Sequence, residues 1–136
     1  MITWGLRRIA ASLAAVTVVL GGTTGCGRSA DEAGARRATT AFFAATAAHQ
    51  NQRACADLTP QAAQSLATSD SGCAEQIGDL KLAGGTIRAI RVWGDRAQVV
   101  LSRDTVFLVH LPQGWKIAGA GCRPQPKGPY DCDVEA

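Results

Sequence analysis

No stretch of this sequence keeps together the roughly twenty apolar residues that a helix needs to cross a bilayer, so a retained transmembrane helix is not expected. Catalytic signatures are missing too. There is no Gly-x-Ser-x-Gly elbow, no Walker loop and no His-Glu-x-x-His pair. Cysteines never fall at C-x-x-C spacing, and neither His49 nor His110 stands at zinc-ligand distance from one, so no metal and no cofactor is expected. Basic residues form no polybasic run, and the formal charge of the chain is only +3. Nothing there favours nucleic acid or a headgroup-binding patch.

What is present begins at the N-terminus. Arg7 and Arg8 precede an apolar stretch from Ile9 to Leu20 rich in Ala, Val and Leu. A charged segment followed by a short apolar one is the pattern of an export signal. Thr23-Thr24-Gly25-Cys26 closes it, and these four residues resemble a bacterial lipobox. The resemblance implies cleavage between Gly25 and Cys26 and a diacylglycerol on the Cys26 sulfur. Thr23 stands where that pattern usually has Leu or Val. The general secretory route fits better than the twin-arginine route, because Ile9 and Ala10 do not continue a twin-arginine motif.

Loss of residues 1–25 would leave 111 residues, one small domain, with 12 basic and 11 acidic side chains. Arg outnumbers Lys 11 to 3 and Ala is abundant, a bias similar to that of high-GC (actinobacterial) genomes. A domain of this size buries a modest fraction of its surface, so covalent ties help. Apart from Cys26 there are four cysteines, Cys55, Cys73, Cys122 and Cys132, which can pair in three ways. Shorter loops close more readily, so Cys55–Cys73 with Cys122–Cys132 is the economical pairing. Such bridges belong to an oxidising compartment.

Residues 26–35 are small and polar and read as a lipidated N-terminus on a flexible tether. Residues 36–52, dense in Ala with Phe42 and Phe43, predict an amphipathic helix. Thr59-Pro60 predicts the start of a second helix, running to about residue 68, and residues 73–80 predict a short third. After Gly84-Gly85 the character changes to β-branched and aromatic residues at short spacing. Strands are predicted over 86–93, 96–102, 105–111 and 115–120, joined by turns at Gly94-Asp95, Arg103-Asp104 and Pro112-Gln113-Gly114. Together these predict an α+β domain over 36–121, with two or three helices on a four-stranded antiparallel meander. Residues 122–136 carry Pro124, Pro126 and Pro129 and read as a disulfide-closed tail, an appendage with no regular strand or helix. Its acidic residues Asp131, Asp133 and Glu135 are expected in solvent or on a contact surface.

The element order, with Gly94-Asp95-Arg96-Ala97-Gln98-Val99 and Gly114-Trp115-Lys116-Ile117 opening the second and fourth strands, resembles the NTF2-like (cystatin-like) superfamily. The likeness is to small secreted or lipid-anchored actinobacterial domains of that shape. It implies a curved sheet forming a cone closed by helices, in which some members bind or isomerise small apolar ligands. The catalytic candidates that this implies are His110, Asp104 and His49. Asp104 sits at a turn, where Asp is wanted by the backbone, and no partner for either histidine can be named. No catalytic residue is therefore assigned. Arg88, Arg91, Trp93 and His110 remain as candidates for ligand or partner binding, since Arg beside Trp can take an anion or stack on an aromatic group. The expected protein is a non-enzymatic lipoprotein on the outer face of the cytoplasmic membrane. It would bind a membrane-protein partner or a small apolar ligand, with a cone-based isomerase or hydrolase as the alternative.

Overall fold

The computed structural model describes residues 26–136, and the expected signal peptide lies outside the described residues. Four helices come first: α1 (Cys26–Ala47), α2 (Asn51–Ala56), α3 (Pro60–Leu66) and α4 (Cys73–Asp79). Strands follow: β1 (Ile87–Trp93), β2 (Arg96–Leu101), β3 (Thr105–Leu111), β4 (Gly114–Ala120) and β5 (Val134–Glu135). They form one antiparallel sheet in the order β1-β2-β3-β4-β5, with the helices packed on it. The class is α+β, as expected, but the sheet has a fifth strand, and the described residues hold four helices rather than two or three: α2 forms between the first two expected ones, with Ala54 buried.

The first correction concerns residues 26–35, which are helical rather than a flexible tether. The stripe that α1 buries starts inside that segment: Ala35, Thr39, Phe42 and Ala45 are buried at helical spacing. Small residues that look like a linker in one dimension are here the ones that let a helix lie close to a sheet. The buried Thr39 hydroxyl donates to the Ala35 carbonyl at 2.8 Å, so no polar group is stranded. The helix also stops earlier than residue 52. His49 takes φ 56°, the left-handed turn that ends α1 and lets α2 start at Asn51.

α3 begins as its sequence demands. The Thr59 hydroxyl accepts from Ala62 N–H at 3.2 Å and Pro60 fills the first turn. The segment just before it does something local rules do not show. Ile117 N–H donates to the Asp57 carbonyl at 2.9 Å, and Thr59 N–H donates to the Ile117 carbonyl at 2.8 Å. Residues 57–59 thus cover the open edge of β4 at its middle, and β5 pairs with the far end of that edge through Gly119↔Glu135 and Ala120↔Val134.

The second correction follows from β5. The tail is not an appendage, because Val134 is 0 % exposed and belongs to the core. Prolines occupy the excursion between Cys122 and Cys132, and the chain regains strand geometry only after the last of them. Of the tail's acidic residues, Asp131 and Asp133 both receive the Arg123 guanidinium, at 3.3 and 2.9 Å. Bridges join Cys55 to Cys73, tying α2 to the start of α4, and Cys122 to Cys132.

The core lies between the helices and one face of the sheet. Register puts Ala97, Leu108 and Ile117 side by side on it, with Val99 facing Val106 in the next row. Phe107 therefore points to the other face, where its ring meets Tyr130 edge-on with centroids 5.1 Å apart.

Candidate functional site

In an antiparallel meander the ends of β1 and β3 and the starts of β2 and β4 meet at one end of the sheet. Here that end carries the Gly94 and Gly114 turns, with φ of 60° and 114° that suit glycine. The first turns of α1 lie across it. Asp31, Gly34 and Arg37 form one wall of a cleft whose other wall is His110, Gly114 and Trp115. The cleft measures about 440 Å³ and opens to solvent. A second hollow lies between Arg28 and Glu32 of α1 and Ile90, Arg91 and Val92 of β1.

His110 and Trp115 are a cross-strand pair, and their rings stack at 4.8 Å with 17° between the planes. Gly34 makes this possible from the helix side: a Cβ there would stand 2.6 Å from the indole Cδ1. The cleft thus offers a flat aromatic shelf flanked by a carboxylate and a guanidinium. Such a surface can stack on a ligand and pair with its charge. His110 is exposed, and among the described residues no hydrogen bond joins its ring to Asp31.

The four binding candidates do not converge. His110 shares the helix-covered face with Leu108, while Arg91 and Trp93 stand on the outer face in register with Gln98 and Arg96. Arg88 sits at the register shift between Ile87 and Ala89, toward the other end of β1. Arg91 donates through Nη1 to Gln98 Oε1 at 3.0 Å, and Gln98 Nε2 donates to the Tyr130 hydroxyl at 3.3 Å. The tail thereby reaches across the outer face. Trp93 ends that row and is 51 % exposed, the large apolar side chain most open to solvent among the described residues. It borders an apolar groove of about 200 Å³ with Phe107, Val109 and Ala118.

Of the acidic residues considered, Asp104 is half-buried at the opposite end of the sheet. Its carboxylate accepts from the N–H groups of Thr105 (2.6 Å), Gly121 (3.2 Å) and Cys122 (3.1 Å). It ties the β2–β3 turn to the end of β4, which is a structural task. Burial pushes its pKa up, and the three N–H donors oppose that. Asp57 also titrates above the ordinary carboxylate value because of burial, with Lys116 and Arg53 pulling the other way. His49 ends α1 and lines a separate small hollow with Asn51 and Ile77.

Sequence reasoning missed Asp31, Gly34 and Arg37, which it placed in or beside a tether. The signal that could have found them was the continuous 3.6-residue pattern running back from Phe42 through Thr39 and Ala35. Compared with protein-family models, with curated proteins and with solved structures, the chain finds no match.

Proposed function

We propose that this protein is an exported lipoprotein, held by lipid on Cys26 at the outer face of the cytoplasmic membrane, whose domain is a non-catalytic binding or accessory module. The observation that carries the reading is the cysteine pattern. Two bridges use Cys55, Cys73, Cys122 and Cys132, and the fifth cysteine is Cys26, at the end of the apolar leader. Disulfides of this kind are consistent with an extracytoplasmic protein. No helix among the described residues is long and apolar enough to cross a membrane, so retention there would fall to the lipid.

A surface partner suits the geometry better than an internal ligand. Phe42, Leu108, Ile117, Val99 and Val106 are fully buried between helices and sheet, and the 440 Å³ cleft beside His110 is an open one. Helices leading an antiparallel meander also support the NTF2-like likeness, which we carry as part of the proposal. A membrane protein of the envelope, docking on exposed surface, is the partner class that follows.

The test is the intact mass of protein extracted from membranes, measured with and without reduction. An N-terminus at Cys26 bearing diacylglycerol, with a gain of about four mass units on reduction of two bridges, is the expected result. A free chain with reduced thiols would overturn both the anchor and the export.

A further inference from the structure

Where Cys26 sits in the fold decides which end of the domain a lipid there would hold to the bilayer. α1 is already helical at Cys26, so no slack separates anchor from domain. A flexible tether of ten residues would let the domain wander by roughly 15–20 Å. A helix fixes it. Arg28 is two residues on, about 3 Å along the axis, and flanks the same hollow as Arg91 and Val92, next to Trp93. The lipid-bearing residue and the Trp93 turn therefore share one end of the molecule.

Resting on the lipoprotein reading, we propose that this end is a second membrane contact, in which Trp93 enters the bilayer interface while Arg28, Arg91 and Arg96 reach lipid phosphates. Indole rings settle at the boundary between headgroups and acyl chains, where an apolar body and a polar N–H are both accommodated. Trp93 is half exposed and borders an apolar groove, so its burial in an interface answers an exposure that the fold leaves in place. Guanidinium groups on long stems reach phosphates from beside such a ring.

Magnitudes decide the role. Diacylglycerol already supplies two chains, so retention does not need Trp93. Glu32 and Asp95 lie beside the three arginines, and Asp95 pairs with Arg96 at 3.5 Å, so the charge excess is small. The contact therefore sets orientation, and it depends more on the indole than on anionic lipid.

The experiment uses the mature protein extracted from membranes and reconstituted in phosphatidylcholine–phosphatidylglycerol vesicles with brominated acyl chains, read by tryptophan fluorescence. Trp115 lines the open cleft at the same end and is only part-buried, so the readout is the share of quenching lost in Trp93→Ser, expected to be the larger part because Trp93 is the more exposed, with vesicle-bound protein unchanged. Unquenched emission from protein whose mass shows diacylglycerol on Cys26 would overturn the orientation and leave the anchor standing. Absence of lipid on Cys26 would remove the anchor and this inference together. Protection of Trp93 from an aqueous quencher in native membranes but not in pure lipid vesicles would assign the surface to a protein partner and overturn the lipid contact.

Discussion

Gly34 of α1 lies flat against the indole of Trp115 on β4, so close that a Cβ would meet Cδ1 at 2.6 Å and Nε1 at 2.9 Å. The indole cannot easily withdraw, because the His110 ring is stacked with it at 4.8 Å. Replacing Gly by Ala inside a helix normally gains about 1 kcal/mol, and overpacking costs about 1–3 kcal/mol. We expect Gly34→Ala to lose about 1 kcal/mol net in a denaturant titration, and His110→Ala in the same chain to recover it. A single variant more stable than the parent would show that the indole swings aside.

Asp104 replaces ladder hydrogen bonds at the point where β4 runs out. Removing its carboxylate strands the Gly121 N–H, while Cys122 N–H keeps a longer bond to the Thr105 carbonyl at 3.3 Å. Asp104→Ala should lower stability by about 2–3 kcal/mol, and Asp104→Asn by less, since one acceptor oxygen survives. Equal stability of all three proteins in chemical denaturation would mean that water takes the place of the carboxylate at no cost.

Val134 couples the tail to the core. It pairs with Ala120, β5 packs on α3, and the Ser65 hydroxyl donates to the Glu135 carbonyl. Val134→Ala is expected to cost about 2 kcal/mol. Deletion beyond Gly121 should cost more, because it also removes the Cys122–Cys132 bridge. A melting temperature unaffected by Val134→Ala would return the tail to the status of an appendage.

The acid side of the stability curve follows from Asp57 and Asp104. Both carboxyls bind protons more readily in the folded chain than in the unfolded one, chiefly through burial. Their contribution is fully present below the ordinary carboxylate value and declines as pH rises through their raised values. Moving from neutral pH toward the ordinary carboxylate range should therefore leave the melting temperature level or slightly higher. A falling melting temperature over that window, lost in the Asp57→Asn, Asp104→Asn pair, would reverse the sign.

Much of the architecture was legible one residue at a time. Thr59-Pro60 starts a helix because a hydroxyl and a ring satisfy the first turn whatever surrounds them. Gly94 and Gly114 mark turns because they take positive φ. The strand alternation in Ala97, Val99 and Leu101 identifies a buried face by itself. The tether and the tail were misread for one reason: small or proline-rich segments carry weak local signals, and both owe their structure to distant partners. Ala35 and Gly34 are helical against β4, and Val134 is a strand because Ala120 is there to pair with it.

The candidate surface was less legible still. Arg88, Arg91 and Trp93 look like a cluster in the chain, yet a register shift after Ile87 sets Arg88 apart, and His110 belongs to the opposite face. Local chemistry by itself determined the starts of α3 and α4, the turns, the change from helix to strand at Gly84-Gly85 and the supply of cysteines for two bridges. Tertiary structure decided that α1 runs on past the 35–42 pattern to Cys26, that the tail supplies a fifth strand, and that Asp31 and Arg37 face His110 across a cleft. Caps and turns depend on a few neighbouring torsions, which short sequence carries in full. Strand register and helix docking depend on which distant apolar surfaces meet, and no short stretch contains that information.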